Sequence, residues 1–350
     1  MWDDESKTIL KPQYLASAHK AYRNCIDDFL EPSRQLANVV GMGIGVKWSN
    51  NRPTGEPALI VLVTHKRAKE ELGSASLIPE KIEGFQTDVL AIGHPCAGGG
   101  MPAMPGMQTL ASHRIRPVKG GYSIGHRDIS AGTIATSVYD LLPKTGAYEN
   151  GRPPKFYILS NNHILAKNNL AKIGDPIIQP GTEDGGLYPW DQIATLSRFI
   201  PIEFDPPIPR DQHNNIVDAA IAEGDFRHLD REIYWIGHTR GWMPQANVTV
   251  GERVQKTGRT TNYTVGRITA INATIDINYG TQTARFRDQI ITTAISAGGD
   301  SGSLVTTLDN IAVGLLFAGS PSATIVNQIE NVCTLLHIEI PGGMIPGNTH

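Results

Sequence analysis

The sequence predicts a mainly-β protein: a large all-β domain preceded by a small α/β accessory unit and an N-terminal helix. Two observations carry this prediction. The 350-residue chain holds 36 glycines and 23 prolines, spread between short apolar runs, which is the texture of short strands joined by turns. From about residue 110 onward these runs continue without a helical interruption, among them GTIATSVYDL, KFYILSNNHI, DQIATLSRFI, ERVQKTGRTT, YTVGRITAINATIDINYG, TARFRDQIITTAI, SLVTTLD and IAVGLLFAG. So many strands separated by Gly, Pro and Asn suit a closed or sandwiched β architecture.

The first element lies within residues 1–33. Leu15, Ala18, Tyr22, Cys25, Ile26, Phe29 and Leu30 recur at helical spacing before Pro32, so one amphipathic helix is expected with its apolar stripe as a docking face. Residues 34–95 read as the accessory domain: the strand-like runs NVVGMGIGVKWS and PALIVLVTHK, a charged piece RAKEELG, and the run TDVLAIG. Gly41, Gly43 and Gly45 lack the spacing of a dinucleotide loop, and no helix follows them. They mark a strand packed closely against a neighbour. Residues 96–109 read as a linker, because HPCAGGGMPAMPGMQ breaks all periodicity. His94 and Cys96 have no second ligand pair nearby, so no metal is expected there. The all-β domain then runs over 110–341, with a tail at 342–350.

Composition excludes several functions. The net charge is −3, and the basic residues are scattered, so neither a nucleic-acid footprint nor a membrane-surface one is expected. Cys25, Cys96 and Cys333 are odd in number and far apart, against a disulfide framework or a zinc site. The N-terminus MWDDESKTIL is acidic where a leader would be basic, and no apolar run of about 18 residues occurs. A cytoplasmic protein with no metal or organic cofactor is expected.

Three motifs carry chemistry. In AISAGGDSGSLV, Gly298 and Gly299 allow the backbone to turn its N–H groups inward beside the Ser301 hydroxyl. In FYILSNNHILA, His163 stands at the end of an apolar strand. In NNIVDAAIAEG, Asp218 stands among apolar residues, where a carboxylate needs a hydrogen-bonding partner. Each motif alone also fits a bland role, as a glycine turn, a core histidine or a capping carboxylate. Together they supply what nucleophilic catalysis by serine needs: a hydroxyl, a base and an acid to orient the base.

LSNNHILA, IVDAAIA and GGDSGSLV resemble the His, Asp and Ser motifs of chymotrypsin-like (trypsin-like) serine peptidases, and AVGLLFAGS resembles the strand bordering their substrate cleft. With VVGMGIGVK, TDVLAIGHP, GDPIIQPG, KTGRTT and DQIITT, the layout over roughly 38–340 is similar to a group of bacterial and plant trypsin-like proteins whose plant members are the narrow-leaf proteins. The resemblance implies a double β-barrel with the catalytic groups in the cleft between the barrels. It implies Ser301 as nucleophile, His163 as general base, Asp218 as its orienter, and the N–H groups of Gly299 and Ser301 as the oxyanion hole. Phe317, Ala318 and Gly319 would be the backbone against which a peptide lies, and Ile295 the pocket floor, favouring an apolar or small residue before the cut. Two departures stand out. Ser303 replaces a common glycine, and Asp300 lies far from any freshly cut terminus, so Arg259 in KTGRTT is the expected ion-pair partner of Asp300.

The expected function is an intracellular serine endopeptidase that forms an acyl-enzyme and acts on a specific protein target. Two alternatives share the fold: a silent peptide- or partner-binding adaptor, and an esterase using the same triad. The N-terminal helix and residues 34–95 offer a surface for self-association, a regulatory partner or a lid.

Overall fold

Helix Leu15–Phe29 buries Ala18, Ala21, Tyr22 and Ile26, residues that share one face at the three-to-four-residue helical interval. It starts where the apolar stripe does, after Lys11 in extended backbone and the single tight turn Pro12–Tyr14. The buried face packs against Met42, Ile44, Leu59 and Val61, and the Tyr22 hydroxyl donates to Thr274 Oγ1 at 2.6 Å. The computed structural model describes residues 6–31, 36, 38–50, 52–73, 76–100, 109–141 and 153–345. Pro32, residues 101–108 of the linker and the end of the tail lie outside them.

Six strands close into a barrel: Arg253–Gly258, Leu304–Thr307, Ile311–Gly319, Ala323–Gln328, Thr283–Thr293 and Asn262–Asn278. Closure comes from the hairpin in which Arg253 to Gly258 pairs with Arg267 to Asn262. The long strand Asn262–Asn278 outruns this barrel, and its free edge takes Val39–Ser49 antiparallel, with Gly41 opposite Ile275 and Gly45 opposite Ala270. Arg52–Val63, Phe85–Ala91 and Lys81–Ile82 extend the same sheet outward. The accessory unit is therefore continuous with the barrel. Its charged piece forms only the short turn Lys69–Glu71.

A second sheet runs in the order Ile338–Glu339, Ser137–Asp140, Phe156–Ser160, Ala220–Gly224, Gln192–Phe199, Pro176–Ile178, Ser123–His126 and Gly132–Thr133. It wraps its own core of Ile124, Ile158, Leu165, Ile177 and Leu196. A further cluster joins the two sheets: Val138, Leu159 and Ile221 from one, Leu304 and Leu315 from the other, and Val332 and Leu336 of helix Ile329–Leu336. Each such aliphatic side chain contributes about 1.5–3 kcal/mol on burial. The contact joins the two sheets, and Asp218 and Ser301 bond across that seam, to Asn327 and to Thr133. The mainly-β, double-barrel architecture expected from the sequence is the one observed.

Candidate active site

His163 lies in the single helical turn Asn162–Leu165, directly after strand Phe156–Ser160. The neighbouring asparagines fix that turn. Asn161 donates through Nδ2 to the Asp218 carbonyl at 2.7 Å, and Asn162 donates through Nδ2 to the Ile200 carbonyl at 2.7 Å. Asp218 itself stands just ahead of strand Ala220–Gly224 and has no solvent exposure. Its backbone N–H donates to Asn327 Oδ1 at 3.0 Å, which reaches across from the closed barrel.

The carboxylate of Asp218 is satisfied from several directions. Oδ2 lies 2.6 Å from His163 Nδ1, and Oδ1 accepts from the His163 backbone N–H at 3.2 Å. A further donor, which the sequence reading did not single out, is Tyr279, whose hydroxyl donates to Oδ2 at 2.7 Å. Tyr279 follows strand Asn262–Asn278 and is packed among Phe204, Phe286 and the edge of the His163 ring. Burial first, and then the Asp218 charge, push its phenol well above the ordinary tyrosine range, so at neutral pH it is a hydrogen-bond donor. With Nδ1–H directed to Asp218, the His163 Nε2 is left as an acceptor. It is buried and has no partner among the described residues.

Ser301 follows the glycine turn and is 1% exposed. Its hydroxyl donates to the Phe317 carbonyl at 3.2 Å, so in this conformation it is directed to the strand edge while Nε2 has no partner. Gly299 has φ +97°, and a Cβ there would fall 2.5 Å from Thr260 Oγ1. Both the backbone angle and the space demand glycine. Neither the Gly299 nor the Ser301 amide N–H donates to another described residue, so two donors stand free beside the hydroxyl.

Asp300, which precedes the nucleophile candidate, departs from expectation. Arg259 does not pair with it. The Arg259 guanidinium instead forms a two-pronged pair with Asp184, at 2.6 and 2.8 Å. The partner of Asp300 is Lys256, with Nζ 3.2 Å from Oδ2 and both side chains wholly buried. Thr260 N–H and Thr261 N–H donate to Oδ1, and Ala297 N–H and the Thr261 hydroxyl donate to Oδ2. The reason is positional. Lys256 lies within the barrel strand and turns inward, whereas Arg259 lies beyond the strand end and reaches the short turn Thr182–Asp184. Burial pushes the Lys256 ammonium below its ordinary range, against the pull of Asp300. Ser303 donates its hydroxyl to the Asp300 carbonyl at 2.6 Å, which gives that departure from glycine a role in holding the turn.

Ile295 also departs from expectation. Its side chain is 1% exposed and lies in the core cluster with Val254, Ile268 and Val305. The groups that converge on Gly319 are Ser296, whose Oγ would lie 2.9 Å from a Cβ at 319, together with Gly99 and Gly100. Ser296 Oγ is 2.7 Å from Thr324 Oγ1, so the side chains packed beside Gly319 carry hydroxyls. Phe317, Ala318 and Gly319 do form an extended edge, but it is occupied: Ala97 pairs with Ala318 and Cys96 with Gly319, antiparallel.

No protein-family model matches the chain. Over 66 residues, 19% of its length, it is 44% identical to glutamyl endopeptidase 2 of Streptomyces griseus. The match spans 33% of that protein, about a third of its length. Among solved structures, one similar chain is a glutamic acid-specific serine protease, at 21% identity and a TM-score of 0.44, covering 64% of this chain and 100% of that one. Another is Thermobifida fusca protease A, at 16% identity and a TM-score of 0.43, covering 64% and 97%.

Proposed function

We propose that this protein is a trypsin-like serine endopeptidase in which Ser301 is the nucleophile, His163 the general base and Asp218 its orienter. The observations that carry the reading are the buried Asp218–His163 pair, whose Nε2 has no partner among the described residues, and the glycine turn of Ser301, where the amide N–H groups of Gly299 and Ser301 donate to no other described residue. A structural histidine has no need of an enclosed, unpaired acceptor nitrogen, since leaving one unsatisfied costs about 1–3 kcal/mol.

In the proposed reaction, the Ser301 hydroxyl rotates from the Phe317 carbonyl towards Nε2 and attacks the peptide carbonyl carbon. Its proton passes to Nε2, and the new C–O bond leaves the charge on the former carbonyl oxygen. The N–H groups of Gly299 and Ser301 stabilise that oxyanion, a contribution in which one donor is worth ~10²–10³ in rate. The imidazolium formed on His163 is stabilised by Asp218, itself held by Tyr279. His163 then gives the proton to the leaving amine as the C–N bond breaks, and the acyl-enzyme remains. Water, deprotonated by His163, releases the acid and restores the hydroxyl.

The substrate is proposed to be a protein or peptide that binds as an added strand along Phe317–Gly319. The hydroxyls of Ser296 and Thr324, which the chain places beside Gly319, favour a small or polar side chain before the cut over Lys or Arg. Three free thiols at Cys25, Cys96 and Cys333 suit a reducing, intracellular setting. Among the described residues no helix is long and apolar enough to cross a membrane. Profiling a peptide library with the wild type and Ser301→Ala tests the reading. Cleavage that vanishes in the variant supports it, and equal cleavage by both proteins overturns it.

A further inference from the structure

We propose that Cys96–Gly100 is a built-in inhibitory strand: it occupies the peptide-binding edge beside Ser301 and must leave before substrate can bind. This deepens the peptidase reading and rests on it. Strand Ile311–Gly319 has Ala323–Gln328 along one edge. On the other edge Leu304–Thr307 pairs as far as Leu315, and Gly302 and Ser303 bond the Leu316 backbone, so Phe317–Gly319 lacks a backbone partner from its own barrel on that edge. Cys96 and Ala97 fill it, antiparallel to Gly319 and Ala318. Gly98 N–H donates to the Phe317 carbonyl at 3.3 Å, the same oxygen that accepts the Ser301 hydroxyl. Antiparallel addition to an exposed edge is how an extended peptide docks, and here the chain does this to itself.

The segment then turns into the neighbouring space. Gly99 N–H donates back to the Cys96 carbonyl at 2.9 Å. A Cβ on Gly298, in the nucleophile turn, would lie 2.9 Å from the Gly98 carbonyl oxygen. Because the backbone folds back at Gly98–Gly99, it presents no extended bond to Ser301, which accounts for a blocking role rather than a substrate role. Its glycines are sterically required. A Cβ on Gly99 would lie 2.6 Å from the Gly319 carbonyl oxygen, and one on Gly100 would lie 2.4 Å from the Ser296 carbonyl oxygen. The enclosure of the site agrees: Ser301 is 1% exposed and the His163 side chain 10%.

The segment is held by a few backbone hydrogen bonds, each of modest net strength, so it should restrict the site by ~10–100-fold and remain displaceable. The test uses the full chain and two readouts. The first compares wild type with Gly100→Val for Ser301 labelling by a fluorophosphonate. The second follows the rate of Cys96 alkylation by iodoacetamide, resolved by peptide mass spectrometry. The inference predicts that Gly100→Val raises both rates by ~10-fold or more. It also predicts that saturating wild type with a peptide boronic acid raises Cys96 alkylation to a similar extent. The boronate arm needs no variant and stands if Gly100→Val fails to fold. Unchanged Cys96 alkylation in the folded variant or the boronate complex overturns the inhibitory strand. If Ser301 is labelled in neither protein while Cys96 becomes reactive in Gly100→Val, the strand is displaceable but the peptidase reading fails.

Discussion

Replacing Lys256 by Met should be among the most damaging single changes near the site, although the residue touches no substrate. Lys256 Nζ sits 3.2 Å from Asp300 Oδ2 with both side chains at zero exposure. At an effective dielectric of about 20, that separation corresponds to an attraction of ~5 kcal/mol. Removing one partner of a buried pair costs about 3–5 kcal/mol, because the other charge stays buried and uncompensated. Asp300 keeps the N–H groups of Thr260, Thr261 and Ala297 and the Thr261 hydroxyl, which places the expected loss near the lower end, about 3 kcal/mol. Urea unfolding should show this loss, with proteolytic activity falling further because the Ala297 contact shapes the turn that carries Ser301. Lys256→Met combined with Asp300→Asn should recover most of the stability, since the unpaired charge is then gone. Arg259→Ala breaks a less enclosed pair with Asp184 and should cost less, about 1–2 kcal/mol. A Lys256→Met loss under about 1 kcal/mol, or a larger loss from Arg259→Ala, would refute this electrostatic ranking.

Other expectations follow from the same geometry. Tyr279→Phe deletes the hydroxyl that donates to Asp218 Oδ2 and should lower kcat about 10-fold with little change in KM, equivalent to about 1.4 kcal/mol in the barrier; an unchanged kcat would remove Tyr279 from its positioning role. Asp218→Asn should lower kcat by ~10³–10⁴ while leaving the fold intact by circular dichroism, because an amide cannot replace the carboxylate that holds Nδ1–H. At alkaline pH, Tyr22 and Tyr279 both have phenols raised above the ordinary range, chiefly by burial. The unfolded chain ionises its tyrosines near pH ~10, so their contribution is whole below that pH and declines above it, by up to about 1.4 kcal/mol per pH unit for each group. Unfolding free energies measured from pH 8 to 11 should fall more steeply above pH ~10 in wild type than in Tyr279→Phe, and parallel curves would count against it.

The candidate positions stood out because each motif interrupts an apolar run with residues that such a run does not otherwise tolerate. His163 after FYILSNN and Asp218 inside NNIVDAAIA stand out for that reason. The mainly-β architecture was legible from turn density, and helix Leu15–Phe29 from its stripe. Other partnerships across the fold were not legible. Lys256 and Arg259 lie three residues apart in one hairpin, and only the inward direction of the strand residue decides that Lys256 meets Asp300. The resemblance implies Ile295 as the pocket floor, but the local path of the backbone turns its side chain into the barrel core. Tyr279 carried no local signal beyond its place at a strand end, since its contact with Asp218 spans 61 residues. Cys96–Ala97 looked like linker because glycines and prolines surround a two-residue strand, whose pairing depends wholly on a distant edge.

Mass-spectrometric mapping of a fluorophosphonate adduct is the most direct test that Ser301 is an activated nucleophile, run on wild type, Gly100→Val and their His163→Ala derivatives. The account predicts a single adduct on Ser301 in the proteins that retain His163, and its loss or near-loss when His163 is removed. Folded wild type and Gly100→Val that both leave Ser301 unmodified, or labelling that persists undiminished without His163, would contradict it.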